Sequence, residues 1–170
     1  MEQGIDVRPV DDTSRAAAIA LAVHPDQAAF VGRVADSLAD VAVCPGSEGL
    51  ALLEDGRVVG YVRIDRTASA LGDHPLADGA VALRSFLIDA GLQGRGLGTR
   101  ALRAIARYVS RRHPDRGRIV LSVNVRNEGA VRAYRRAGYR DSGALYHGGP
   151  AGPQHVLWLP LPFPDPAETS

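Results

Sequence analysis

The stretch Gln93-Gly94-Arg95-Gly96-Leu97-Gly98-Thr99 constrains this chain more than any other. It follows the apolar run Phe86-Leu87-Ile88 and opens an amphipathic pattern from Thr99 to Arg112. Strand, glycine loop and helix start form an arrangement that binds a diphosphate. Glycines let the backbone approach closely, and the first N–H groups of a helix lack internal partners. The helix dipole favours an anion at that end.

Three ligands compete for such a loop. A Walker-type nucleotide site needs a lysine after the last glycine. The chain contains no lysine, and its 20 basic residues are all arginine, which excludes that site. A dinucleotide fold asks for G-x-G-x-x-G and an acid at the end of the next strand. Here the spacing is G-x-G-x-G, and the next apolar run, Ile119 to Val125, ends in Arg126 and Asn127. The third candidate is coenzyme A.

Gln-x-x-Gly-x-Gly after a short apolar strand resembles the pyrophosphate loop of the GNAT superfamily of N-acetyltransferases. A second segment resembles the same family. Asn127-Glu128-Gly129-Ala130-Val131-Arg132-Ala133-Tyr134-Arg135-Arg136-Ala137-Gly138-Tyr139 follows its N-x-x-A-x-x-x-Y-x-x-x-G-[FY] pattern. Asn127 is a residue type that caps helix starts with its side-chain oxygen. Ala130, Val131, Tyr134 and Ala137 recur at helical spacing and form one face. Gly138 ends the helix and Tyr139 begins a strand. The resemblance runs from Ile5 to about Leu159.

The resemblance implies a mixed α/β fold. A central, mostly antiparallel sheet splays at the acetyl-coenzyme A site and is flanked by helices. It implies that Leu87 and Ile88 hold the pantetheine arm, and that Gln93, Gly94, Arg95, Gly96, Leu97, Gly98 and Thr99 wrap the diphosphate. Asn127 touches the pantetheine side, Arg135 or Arg136 reaches the ribose phosphate, and Tyr134 is the general acid for the departing thiolate. The expected reaction is direct attack of an amine on the thioester, with no metal. An alkyl ammonium has no lone pair, so a base, commonly a carboxylate, must take its proton. Glu54, Asp65 and Asp89 lie at strand ends near the expected cleft, each with a plainer reading as a turn, surface or loop-stabilising charge.

Gln27-Ala28-Ala29-Phe30-Val31 and Asp36 to Asp40 resemble the N-terminal helices of bacterial diamine and spermidine acetyltransferases, which form the acceptor wall in that subgroup, and Leu83 to Asp89 resembles their central strand. The acceptor this implies is a small cationic amine such as a polyamine. An aminoglycoside-like antibiotic, a protein N-terminal amine and a noncatalytic coenzyme-A-binding role stand as alternatives.

Charge is distributed unevenly around a net of +1. Residues 1–83 carry net −7, residues 84–140 net +11, and the last 30 residues net −3. The basic block contains both motifs and suits a polyanionic coenzyme. The acidic block would meet a cationic amine. Nucleic-acid binding would want a more basic domain or a reader motif. No run of 18 apolar residues exists, so no membrane helix is expected. The start lacks the basic-then-apolar pattern of a signal peptide. The single cysteine, Cys44, cannot form an internal disulfide, and a reducing cytoplasm is the simplest compartment. A homodimer is compatible with all of this.

The 170 residues suit one domain, 1–160, with a Pro-rich tail over 161–170 expected to be extended and partly disordered. A strand is expected at Ile5–Val10, a helix from the Asp11–Ser14 caps to Val23, and a second helix or broken pair over Gln27–Val41. A hairpin turns at Asp55-Gly56 between strands Leu50–Leu53 and Val58–Ile64. A glycine-bearing loop spans Arg66 to Gly79, and the central strand is Ala80–Ile88. Later strands are expected near Tyr139–Tyr146 and at His155–Leu159, joined by a Gly148–Pro153 loop.

Overall fold

The computed structural model describes residues 4–148 and 151–165. The expected Gly148–Pro153 loop and the tail fall partly, at residues 149–150 and 166–170, outside the described residues. Seven strands form one sheet in the order β1-β2-β3-β4-β5-β7-β6. They are β1 (Asp6–Pro9), β2 (Ser47–Glu54), β3 (Arg57–Asp65), β4 (Ala80–Ile88), β5 (Arg118–Asn124), β6 (Arg140–Tyr146) and β7 (Gln154–Pro160). Every neighbouring pair is antiparallel except β4 with β5. The sheet is mixed, mostly antiparallel and open, as the resemblance implies.

Helices α1 (Arg15–Ile19), α2 (Val34–Val43), α3 (Leu97–Arg112) and α4 (Glu128–Arg136) flank it. Alternation along β3 sends Val62 and Ile64 to one face and Tyr61, Arg63 and Asp65 to the other. The first face packs against α3 and α4, with Leu102, Ile105 and Val109 fully buried beside Ile119 and Leu157. On the opposite face, Ala18, Val34, Leu38, Tyr61 and Leu87 form a smaller cluster under α1 and α2. A third cluster joins Leu71 and Ala68 to Val120 and Val156.

The Asp55-Gly56 turn has φ of +50° and +76°, the left-handed pair that a tight hairpin requires. The helix expected to reach Val23 stops at Ile19. Beyond it the backbone bonds elsewhere. The Ala22 N–H donates to the Asp89 carboxylate at 3.1 Å, and the Ala22 carbonyl accepts the Ala90 N–H at 2.7 Å. Pro25 then disfavours helix at His24. Of the two forms expected over Gln27–Val41, a single helix or a broken pair, the structure has the chain broken. A 3₁₀ turn covers Pro25–Gln27, and α2 begins only at Val34. Val34 and Leu38 are buried, while Phe30 lies outside any helix, with the Arg126 guanidinium 5.7 Å from its ring centre. The expected 66–79 loop contains two 3₁₀ turns, Ser69–Leu71 and Pro75–Ala77.

Two details differ near the motifs. Helix α3 starts at Leu97 rather than Thr99, because Gly96, with φ +72°, turns the chain into it. Asn127 occupies the N-cap position of α4, but its side chain makes no cap hydrogen bond. At the other end of α4 the Gly138 N–H donates to Arg135 and the Tyr139 N–H to Tyr134, closing the helix at a glycine with φ +104°. After β7, the Leu161 N–H donates to the Gly117 carbonyl and the Phe163 N–H to Ser110 Oγ. The first part of the expected tail therefore packs along α3.

Candidate active site

The site begins where two strands part. β4 and β5 pair only at Ala80–Ala82 with Arg118–Val120. Beyond that, β4 stays with β3 through Tyr61–Leu87 and Gly60–Ile88, while β5 stays with β7 through Asn124–Gln154. A register shift between β3 and β4 accompanies the parting, with Ser85 at φ +54°. An extra residue at such a point bends its strand. Gly60 is required there. A Cβ on it would stand 2.6 Å from the Leu87 carbonyl oxygen.

The gap opens into a cavity of about 390 Å³. Leu87, Ile88, Gln93, Gly94, Gly96, Gly98, Thr99 and Asn127 all line it. Two residues of the expected coenzyme-binding set do not. Arg95 is exposed outside the lining, and Leu97 points its side chain into the core with 3% exposure. Gln27 and Val31, from the segment expected to form the acceptor wall, also line it, while sequence reasoning missed Val23 and Phe86 on that wall and Gly129, Ala130, Arg132 and Ala133 on the other. The α4 residues had a readable signal. Gly129, Arg132, Ala133 and Arg136 fall at i, i+3, i+4 and i+7, one helical face. Of the two arginines considered for the ribose phosphate, Arg136 lines the cavity, while Arg135 turns away to Asp141 at 3.4 Å.

No carboxylate is in the lining, whereas two arginines are. Helix α3 presents its N-terminus with no acid in its first turn. Its leading N–H groups have no intrahelical partners, so this end suits an anion. The donor set fits a diphosphate.

Gln93 works inside the loop. Its Nε2 donates to the Ile88 carbonyl at 2.9 Å and to Gln27 Oε1 at 3.0 Å, and its Oε1 accepts Gln27 Nε2 at 3.0 Å. Tyr134 is 7% exposed and absent from the lining. Its ring lies 6.0 Å from Phe86 and 5.4 Å from Tyr139, centre to centre. Burial pushes its phenol well above the ordinary tyrosine value, so it stays neutral. The hydroxyl of Tyr139 is buried with no hydrogen-bond partner among the described residues.

The three candidate bases are engaged elsewhere. Glu54 accepts from Arg100 at 3.0 Å. Asp89 holds Ala22. Asp65 accepts from Ser47, Arg63 and Arg84. Burial would raise its carboxyl, but these bonds outweigh it and hold the group below its ordinary value. The acidic excess of the first 83 residues thus yields no acidic lining in this cavity.

The sequence profile of the acetyltransferase (GNAT) family matches residues 32–139. This chain belongs to that family. It is an N-acetyltransferase. It is similar to the spermine/spermidine N(1)-acetyltransferase of Bacillus subtilis (strain 168), with 30% identity over 141 residues, 83% of this chain and 91% of that protein. Its fold is similar to aminoglycoside acetyltransferase AAC(6')-Ib in complex with coenzyme A, with a TM-score of 0.72, 20% identity, and 92% and 95% of the two chains covered. It is also similar to the spermidine N-acetyltransferase of Vibrio cholerae in complex with CoA and spermine, with a TM-score of 0.68, 13% identity, and 94% and 96% covered. Among the described residues, no helix is long and apolar enough to cross a membrane.

Proposed function

We propose that this N-acetyltransferase moves an acetyl group from acetyl-coenzyme A to a primary amine of a small cationic acceptor, a polyamine. The observation that carries the coenzyme half is the parting of β4 from β5 directly above an acid-free cavity that ends on the α3 N-terminus. The similarity to a spermine/spermidine acetyltransferase supports the acceptor half.

Leu87 and Ile88 offer an unpaired strand edge to the pantetheine arm. The backbone from Gly94 to Thr99 faces the diphosphate, and Arg132 and Arg136 supply positive charge beside it. The bound coenzyme supplies an activated acyl group. The new C–N bond forms as the C–S bond breaks. The amine gives up a proton and the sulfur must be neutralised or hydrogen-bonded. Tyr134, kept neutral by burial, serves as the donor to sulfur. With Glu54, Asp65 and Asp89 engaged, the amine proton leaves through water rather than to a lining carboxylate. The single Cys44 fits a reducing, cytoplasmic setting, with neither nucleic acid nor a membrane as partner.

A thiol-release assay across spermine, spermidine, an aminoglycoside and a peptide with a free N-terminus tests this reading. The polyamines should give the highest kcat/KM. Faster turnover of the peptide or the aminoglycoside would overturn the acceptor assignment. No thiol release with any amine would overturn the catalytic one.

A further inference from the structure

The reading above leaves Gln27 without a part, although it lines the cavity. It sits on the segment from Leu21 to Val31, between α1 and α2, not on the glycine loop. Its amide nonetheless closes a ring with Gln93. The orientation of both amides is fixed from outside the pair. The Ile88 carbonyl can only accept, so Gln93 must present Nε2 to it. The His24 N–H can only donate, and it reaches Gln27 Oε1 at 3.3 Å. Each amide then offers the other the group it needs, at 3.0 Å both ways.

Further ties hold the same segment to both lips of the gap. Asp89 and Ala90, next to the loop, grip Ala22. On the β5 side, Arg126 packs on Phe30 and also donates to the Ala151 carbonyl at 2.9 Å. The segment therefore spans the gap, and the only side-chain amide pair joining it to the glycine loop is Gln27 with Gln93 among the described residues.

We propose that Gln27 is a positioning residue that couples the acceptor-side segment to the coenzyme loop, acting through Gln93. When the loop is ordered around a diphosphate, Gln93 is fixed and so is Gln27. The segment carrying Val23, Gln27 and Val31 is then held in its place against the cavity. The linkage is reciprocal, so loosening the segment must also weaken coenzyme binding. This inference rests on the coenzyme reading given above.

The test uses the full chain, coenzyme A and the variant Gln27→Met, which keeps side-chain length but removes both hydrogen bonds to Gln93 and the one from the His24 N–H. Calorimetry on wild type, Gln27→Met, Gln93→Met and the double variant should show coenzyme affinity weakened about tenfold by either single change, and no further by the second. Hydrogen exchange across residues 21–28 should slow on adding coenzyme A to wild type and change little in Gln27→Met. The polyamine KM should rise several-fold with kcat nearly constant. Additive losses, or equal protection in wild type and Gln27→Met, would overturn the proposal while the coenzyme reading stood. Wild type that fails to bind coenzyme A would overturn both.

Discussion

The two faces of the sheet are built on different principles. Under α3 and α4 the face is dry, and Leu102, Ile105 and Val109 meet Ile119 and Leu157 with no exposed surface. Under α1 and α2 the same strands carry Arg63 and Asp65, with side chains 5% and 12% exposed and 2.8 Å apart. Ser47, Arg84 and Asp40 complete that network, and Ser37 bonds the Tyr61 hydroxyl at 2.9 Å. A dry face is stabilised by area and close packing, which fixes it at every point. A polar face is stabilised only while every member is satisfied. The coenzyme motifs stand on the dry face and its helices. The short α1 and the segment after it stand over the smaller apolar cluster of the other face, with the ion-pair network beside it under α2.

Five substitutions could break this contrast. Leu102→Ala should cost about 4 kcal/mol, because a cavity opens where nothing can collapse, and Leu38→Ala nearer 2 kcal/mol, both from the usual Leu→Ala range. Equal losses in denaturant unfolding would erase the distinction. Tyr134→Phe should lower kcat about 100-fold, near 2.7 kcal/mol of barrier, with coenzyme affinity and thermal midpoint unchanged. Because burial raises the Tyr134 phenol, the wild-type rate should show no falling limb at the ordinary tyrosine value of 10.0. A falling limb there that vanishes in Tyr134→Phe would contradict the neutral-donor role.

Asp65→Asn should cost about 1–3 kcal/mol at neutral pH, the usual loss when buried partners keep only part of their bonding. Asp65 is held below 3.8, so its contribution is fully present above that pH and is lost as pH falls through the lower folded value. Thermal midpoints of wild type and variant should converge below pH 3.8. The smallest effect belongs to Tyr139→Phe. Removing a buried hydroxyl that lacks a partner should raise stability by up to about 1 kcal/mol and leave turnover unchanged.

The dry side was the legible side. Leu102, Ile105, Ala106 and Val109 announce α3 by their spacing, and Gly138 marks the end of α4. The glycine loop and Asn127 point to the cavity by their residue pattern alone. What escaped was set by contacts distant in sequence. The end of α1 depends on Asp89, far along the chain. The place of Gln27 depends on Gln93. No local pattern carries such partners. Leu97 is expected at the ligand through its backbone N–H, a role compatible with a side chain that is the first core residue of α3. The charge split did not place its acids for a related reason. Net charge per segment ignores that Glu48, Glu54 and Asp65 pair with Arg112, Arg100 and Arg84 of the basic block.

The three-residue ladder between β4 and β5 has one more consequence. Past Ala82 and Val120 the sheet contains two raw edges that face each other inside the molecule. Exposed edges of this kind recruit strands from other chains and seed aggregation. Here the flanks are roofed by the Leu21–Val31 segment and by α4, and the opening admits something slender rather than another sheet. The fold thus keeps an unpaired template within reach of a single extended guest.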